Sequence, residues 1–456
     1  MPSYPRAAAA LLTLAAVSTI ACGGGSRDEA QPTTGASSVS ADGSSAAEGS
    51  ADGAATGEKF DALGGGGIMP PVECPAAVSG AGGSGGGISD LDFTFVWIAN
   101  SAQGTVSKID TRTGVEAARY FTSPLEGAGD PSRTAVNPAG DVAVTSRAGG
   151  VTKIASALDR CEDLDGDGEI RTSTGPQDIL PWGSDECIRW HAELPGGGGS
   201  PLNHQGPRPT AWDAGTADDP CSRLWVGWWH AGQNRGYFRR LSGADGEVLD
   251  EVEVTDWDLS GTSKNWGPYG GAVDAAGDLW VLGWGGPLVR IDGVTLEIDR
   301  WDPPVGTHPY GIALDADGHP WTAGTEGDVL HFDPVAETFA SLTIPGTVGG
   351  RMLRGLAIDR DGDAWIAANE PCGLLRVDLA TMTLTAEMPL PGCETPVGVG
   401  VDVDGAVWVP DQSAEMAFRF DPATGQTTTT TGLSRPYTYS DMTGGGLDLV
   451  VNPPTG

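Results

Sequence analysis

An all-β fold built from a recurring four-stranded unit is what the sequence predicts, on three observations. The composition is rich in turn and packing residues: 70 glycines and 15 tryptophans in 456 residues, with only 19% charged. A tryptophan recurs at Trp280, Trp321, Trp365 and Trp408, at spacings of 41, 44 and 43 residues. Before each of the last three stands Asp-x-Asp-Gly, a tight turn between two apolar runs, with glycine supplying the positive φ. A period of about 40–45 residues carrying four short strands is the signature of one β-propeller blade.

The clearest copy runs Pro309-Tyr-Gly-Ile-Ala-Leu-Asp-Ala-Asp-Gly-His-Pro-Trp321, then Val329-Leu-His-Phe-Asp333. Gly-Ile-Ala-Leu-Asp reads as a buried inner strand, and Trp321 as the large ring that fills the wedge between sheets. Similar copies carry Tyr269 with Trp280, Arg354 with Trp365, and Val397 with Trp408. Weaker copies surround Trp97, Ala143 and Trp225, which makes seven blades. The first copy lacks an inner strand. Arg435-Pro-Tyr437-Thr-Tyr-Ser-Asp441 reads as that missing strand, and pairing it with the first blade closes the ring and removes two exposed sheet edges. The expectation is a seven-bladed propeller of four-stranded blades over residues 93–456, with an insertion at 155–206.

The N-terminus reads as an export signal. Arg6 precedes the 15-residue apolar run Ala7–Ala21, too short to span a bilayer. Thr19-Ile20-Ala21-Cys22 resembles the lipobox of bacterial lipoproteins, with Thr19 departing from the usual leucine. The resemblance implies a signal peptide over 1–21 and acylation of Cys22. Gly23 after the cysteine points to the outer membrane, periplasmic or cell-surface. Residues 22–92 are Gly/Ala/Ser-rich and read as a tether. With Cys22 lipidated, six cysteines remain, which in an oxidising compartment allows three disulfides; local sequence favours Cys161–Cys187 and Cys372–Cys393. With 26 basic against 61 acidic residues, net −35, the chain is excluded from binding nucleic acid by phosphate neutralisation.

The insertion carries Asp163, Asp165, Asp167 and Glu169, with Gly168 and Ile170 at positions 6 and 8 of an EF-hand-like loop. The reading is a structural Ca²⁺ site. Position 12 is Thr174, so Asp178, Asp185 or Glu186 must complete the shell. The shorter Asp-x-Asp-Gly motifs recur at the hairpin and read as turns. The cysteines lack the paired spacing of a zinc site, and His331 reads as a structural strand residue.

The repeat, with Pro-aromatic-Gly, Asp-x-Asp-Gly and then Trp, resembles the streptogramin B lyase (virginiamycin B lyase-like) propellers over about residues 93–450. The resemblance implies a C–O lyase in which a histidine and acidic residues abstract a proton with help from a divalent metal, Mg²⁺. The family's repeats often carry Pro-His-Gly before the inner strand. Here that position reads Tyr269, Tyr310, Arg354, Val397 and Tyr437, and His308 lies one residue before the proline. Of the family's glutamates three residues after the tryptophan, only Asp411 keeps an acid. Asp411 and His308 are therefore the catalytic candidates if the chain is a lyase.

Ligands of propellers usually sit over the channel, on the face where the second and fourth strands end. The residues expected there are Trp228, Trp229, Trp266, Tyr269, Trp284, His308, Tyr310, Arg354 and Tyr437. This aromatic and polar rim suits an extracellular protein, glycan or small molecule. The leading expectation is a non-catalytic, lipid-anchored binding module. A lyase and a purely structural surface lipoprotein are the alternatives.

Overall fold

In the computed structural model the chain is described at residues 94–197, 204–215, 221–258, 267–346, 352–454. The export signal, Cys22 and the tether lie outside the described residues. Seven antiparallel sheets succeed one another along the chain and form a seven-bladed β-propeller. The fifth sheet shows the plan: Pro309–Leu314 innermost, then Pro320–Gly324, Asp328–Asp333 and Thr338–Thr343 outermost. The two inner strands are almost wholly buried and the outermost strand is mostly exposed.

The recurring turn explains why the period is legible. In the fifth sheet Asp315 Oδ1 accepts the backbone N–H groups of Asp317 and His319 at 3.0 and 2.9 Å, while Oδ2 accepts the Trp321 indole N–H at 2.8 Å. Asp274, Asp359 and Asp402 hold Trp280, Trp365 and Trp408 in the same way, at 2.7–2.9 Å. One carboxylate thus caps the turn and fixes the ring that packs between sheets, which pins both residues to one spacing. These aspartates are turn residues, as their recurrence suggests.

The first sheet has three strands of its own, Phe95–Asn100, Thr105–Asp110 and Glu116–Phe121. The C-terminal segment supplies the fourth. Tyr437 N–H donates to Ala99 O at 3.0 Å, Trp97 N–H donates to Met442 O at 2.9 Å, and Asn100 bridges Pro436. The ring closes where the sequence places the closure. A short terminal helix, Gly445–Val451, then turns into the channel, where Leu447 and Val450 pack against inner-strand residues such as Ile312 and Leu314.

The acidic insertion lies within a blade rather than between two blades. Residues 155–187 join the third and fourth strands of the second sheet, Val151–Ile154 and Ile188–Ala192, so the outer strand of that sheet falls inside the segment read as insertion. Cys161–Cys187 closes the loop at its base, and Cys372–Cys393 forms as expected. Cys221 is also disulfide-bonded; the other described cysteines pair with one another, so its partner lies outside the described residues. The disulfides suit an oxidising compartment. Among the described residues no helix is long and apolar enough to cross a membrane.

Candidate functional site

Every inner strand enters the channel from the same end, and the residue after its entry proline, or after Leu353 in the sixth sheet, stands at the mouth. In ring order that position reads Ser132, Arg208, Tyr269, Tyr310, Arg354, Val397 and Tyr437. Neighbouring inner strands approach closely here. A Cβ on Gly398 would lie 1.7 Å from Thr438 O, and one on Gly355 would lie 2.7 Å from the Gly398 Cα. Glycine after this position in the fourth to seventh sheets is therefore a packing requirement. In the second blade that glycine is replaced by Arg133, which is 0% exposed.

Three of the expected rim residues, Tyr269, Tyr310 and Tyr437, meet in one buried cluster with Tyr439 and Val397, and Trp284 packs against it. The Tyr437 hydroxyl lies 2.9 Å from that of Tyr269 and 2.5 Å from that of Tyr310. Trp284 packs on Tyr269 and Tyr310 at ring distances of 5.3 and 5.5 Å. Four guanidinium groups surround these rings. Arg133 lies 3.4 Å over the Tyr439 ring and 5.6 Å from that of Tyr437, Arg147 is 5.2 Å from Tyr437, Arg208 is 5.1 Å from Tyr269, and Arg354 is 5.5 Å from Tyr310. Arg147 is ion-paired with Asp130. Arg354 donates to Asn369 Oδ1 and the Tyr310 hydroxyl at 3.2 and 3.4 Å.

This placement separates the tyrosines electrostatically. Burial alone would raise the Tyr437 phenol. The charge of Arg133, the hydrogen bonds from Tyr269 and Tyr310 and the charge of Arg208 outweigh it and bring Tyr437 down to about 8. Burial, with Tyr437 beside it, pushes Tyr269 up to about 12. Tyr310 is raised as well, by burial and by both neighbouring tyrosines. Burial also brings Arg133 down to about 10. Tyr269 and Tyr310 are thus donors, and Tyr437 is the acceptor that carries negative charge first.

The remaining rim candidates do other work. Trp228 is buried, stacked on Tyr237 at 5.7 Å with the Arg239 guanidinium 5.3 Å from its ring. Trp229 belongs to the core with Trp257 and packs beneath Gly267. Neither presents a ring to a ligand, because blade packing takes both. Trp266 lies outside the described residues. His308 is half-buried with Nδ1 3.5 Å from Glu326 Oε1. Asp411 is 0% exposed, and its carboxylate accepts backbone N–H groups from Glu394, Thr395, Ser413 and Ala414 at 2.8–3.2 Å. Such a carboxylate caps a loop and has no face turned to a substrate. Among the described residues no group of three metal-ligating side chains stands at the tyrosine cluster.

In the acidic loop, carboxylate oxygens of Asp163, Asp165 and Glu186 lie within 4.8 Å of one another. Glu186 is thus the residue that joins the loop; Asp185 is spent on Thr172 and Ser173, and Asp178 on Thr174. Glu169 stands outside this group, and Asp163 already accepts the N–H groups of Gly166, Asp167 and Gly168. Arg171 lies 3.5 and 3.4 Å from Asp165 and Asp167.

Sequence reasoning missed Arg133, Arg147, Arg208 and Tyr439. Arg208 had a signal, since Pro207-Arg208-Pro209 precedes Thr-Ala-Trp at the register of Pro-Tyr-Gly. Arg133 had one too, as the lone bulky residue at the glycine position.

No protein-family profile and no curated protein matches the chain. Several solved structures are similar to it. A protein from Lactobacillus plantarum matches at 13% identity and a TM-score of 0.52, covering 75% of this chain and 98% of that one. A functionally unknown protein from Desulfotomaculum acetoxidans matches at 12% identity and 0.50, covering 76% and 100%. The virginiamycin B lyase from Staphylococcus aureus matches at 16% identity and 0.47, covering 68% and 88%. Streptogramin B lyases are therefore structural neighbours of this chain, as other propellers are, and at these identities the likeness is one of fold alone.

Proposed function

We propose that this protein is an exported propeller, held at the outer membrane through a lipid on Cys22, whose loop face binds an extracellular glycan or protein through a carboxylate. One observation carries the reading. In a chain of net charge −35, four arginines converge on one tyrosine cluster at the channel mouth. Among the described residues Arg133 and Arg354 have no carboxylate partner. Burying a guanidinium without a counter-charge costs desolvation free energy that no carboxylate of the described residues offsets. Here the guanidinium adds positive potential at a mouth walled by Arg354 and Trp284, where an incoming carboxylate supplies the missing charge.

Binding of acidic and neutral oligosaccharides and peptides to the full-length protein tests the proposal. Acidic members should bind, neutral members should not, and Arg354→Ala should weaken the acidic ones at least tenfold. We further propose that Ca²⁺ sits at Asp163, Asp165 and Glu186 as a structural ion.

A C–O lyase reading draws on the Tyr437 phenol alone, since about 8 is within the range of a working general base. Ring opening of a streptogramin that vanishes in Tyr437→Phe would support it.

A further inference from the structure

The inner strands end, away from the tyrosines, at the Asp–Trp turns. There the fifth sheet departs from the second, fourth and sixth. Two positions recur on this face: one two residues before the sheet tryptophan, the other directly across the strand pair from it. In the fourth sheet they hold Asp278 and Arg290, 3.8 Å apart, and in the sixth the ion pair Asp363–Arg376. In the second sheet, where Ala143 replaces the tryptophan, they hold Asp141 and Lys153, 3.4 Å apart. In the fifth sheet both are histidines, His319 and His331.

The basic member of the pair normally lies over the tryptophan. The guanidinium groups of Arg290 and Arg376 lie 5.9 and 5.4 Å from the rings of Trp280 and Trp365. His331 keeps that packing role, stacked on Trp321 at 4.4 Å. The pairing role is left unfilled. The rings of His319 and His331 are 5.5 Å apart and inclined by 27°, and the buried Nε2 of His331 has no hydrogen-bond partner. A third donor stands beside them, for ligand atoms of Asp315, His319 and His331 all lie within 4.8 Å of one another. An ionised carboxylate offers about four acceptor sites. Asp315 uses three, on Asp317, His319 and Trp321, and one remains. The two imidazoles line an open groove together with Asp317 and Asp361.

We propose that Asp315, His319 and His331 hold one divalent transition-metal ion of the zinc class. Two imidazoles and a carboxylate suit zinc, copper or nickel, whereas calcium and magnesium prefer all-oxygen shells. The site is on the opposite end of the channel from the arginines and stands independently of the carboxylate reading.

The test is calorimetric titration of metal-free, full-length protein with Zn²⁺. One saturable equivalent is expected. The double variant His319→Asp, His331→Arg installs the pair used by the fourth and sixth sheets, so it should keep the melting temperature while weakening that equivalent at least tenfold. His331→Gln, which preserves size and polarity, should weaken it likewise and decides the matter if the double variant does not fold. Wild-type protein with no saturable equivalent, or folded variants that bind Zn²⁺ as the wild type does, would overturn the proposal.

Discussion

Replacing Arg133 by methionine removes a charge from the middle of the tyrosine cluster while keeping an unbranched apolar side chain in place. The guanidinium lies 5.6 Å from the Tyr437 ring. At an effective dielectric of about 20, a unit charge at that distance is worth roughly 3 kcal/mol, so the Tyr437 ionisation should move up by about two pH units. Near-ultraviolet absorbance titration of phenolate reads this directly. In the wild type one of the seven tyrosines should ionise near 8, ahead of all others, and in Arg133→Met that early step should vanish. The same residue sets a pH dependence of stability. An unfolded tyrosine keeps its proton to about 10, whereas folded Tyr437 releases it near 8. Its contribution is therefore fully present above about 10, declines as pH falls across that window, and is gone below 8. Global stability should not fall in the variant at neutral pH, because exchanging a buried charge without a carboxylate partner for an apolar group is commonly neutral or stabilising. Early ionisation that persists in Arg133→Met would refute the electrostatic account.

Other perturbations follow from the same geometry. Asp402→Ala leaves the Trp408 indole N–H and two backbone N–H groups unpaired and should lower stability by roughly 2–4 kcal/mol in denaturant unfolding, whereas exposed Asp404→Ala should change it by less than about 0.5. Burial raises the Asp402 carboxyl, so the loss in Asp402→Ala should be largest in acid and shrink as pH rises through the folded value. Truncation after Leu433 removes the closing strand and the terminal helix. Met442, Leu447, Leu449 and Val450 are all buried, and at roughly 2 kcal/mol each they are of the order of a whole domain's stability, about 5–15 kcal/mol. Circular dichroism should show no cooperative melt for that truncation. Added Ca²⁺ should raise the melting temperature and a chelator should lower it, with both effects absent in Glu186→Gln; a chelator-insensitive wild type would remove calcium from the account.

The fold was legible because in four blades one carboxylate ties the turn to its tryptophan, and a shift of either residue would break two functions at once. Ring closure was legible because the first repeat starts one strand short while Pro436-Tyr437 repeats the entry of an inner strand. The candidate site was only half legible. Tyr269 and Tyr310 follow the regular Pro-x-Gly pattern, Arg354 keeps its glycine and Tyr437 its proline, but Arg133 and Arg208 stand in the blades whose pattern is broken. The burial of Trp228 and Trp229 was not legible, because a tryptophan at a strand end reads the same whether its ring faces a ligand or a neighbouring sheet. His319 and His331 are 12 residues apart with no metal-ligand spacing, and only strand register brings them together.

The most direct test of the central claim is equilibrium binding of one acidic oligosaccharide and its neutral, reduced counterpart to the full-length protein, at low and high salt. The account predicts saturable binding of the acidic form that weakens with salt and falls at least tenfold in Arg354→Ala. Equal binding of both forms, or binding indifferent to Arg354, would contradict it.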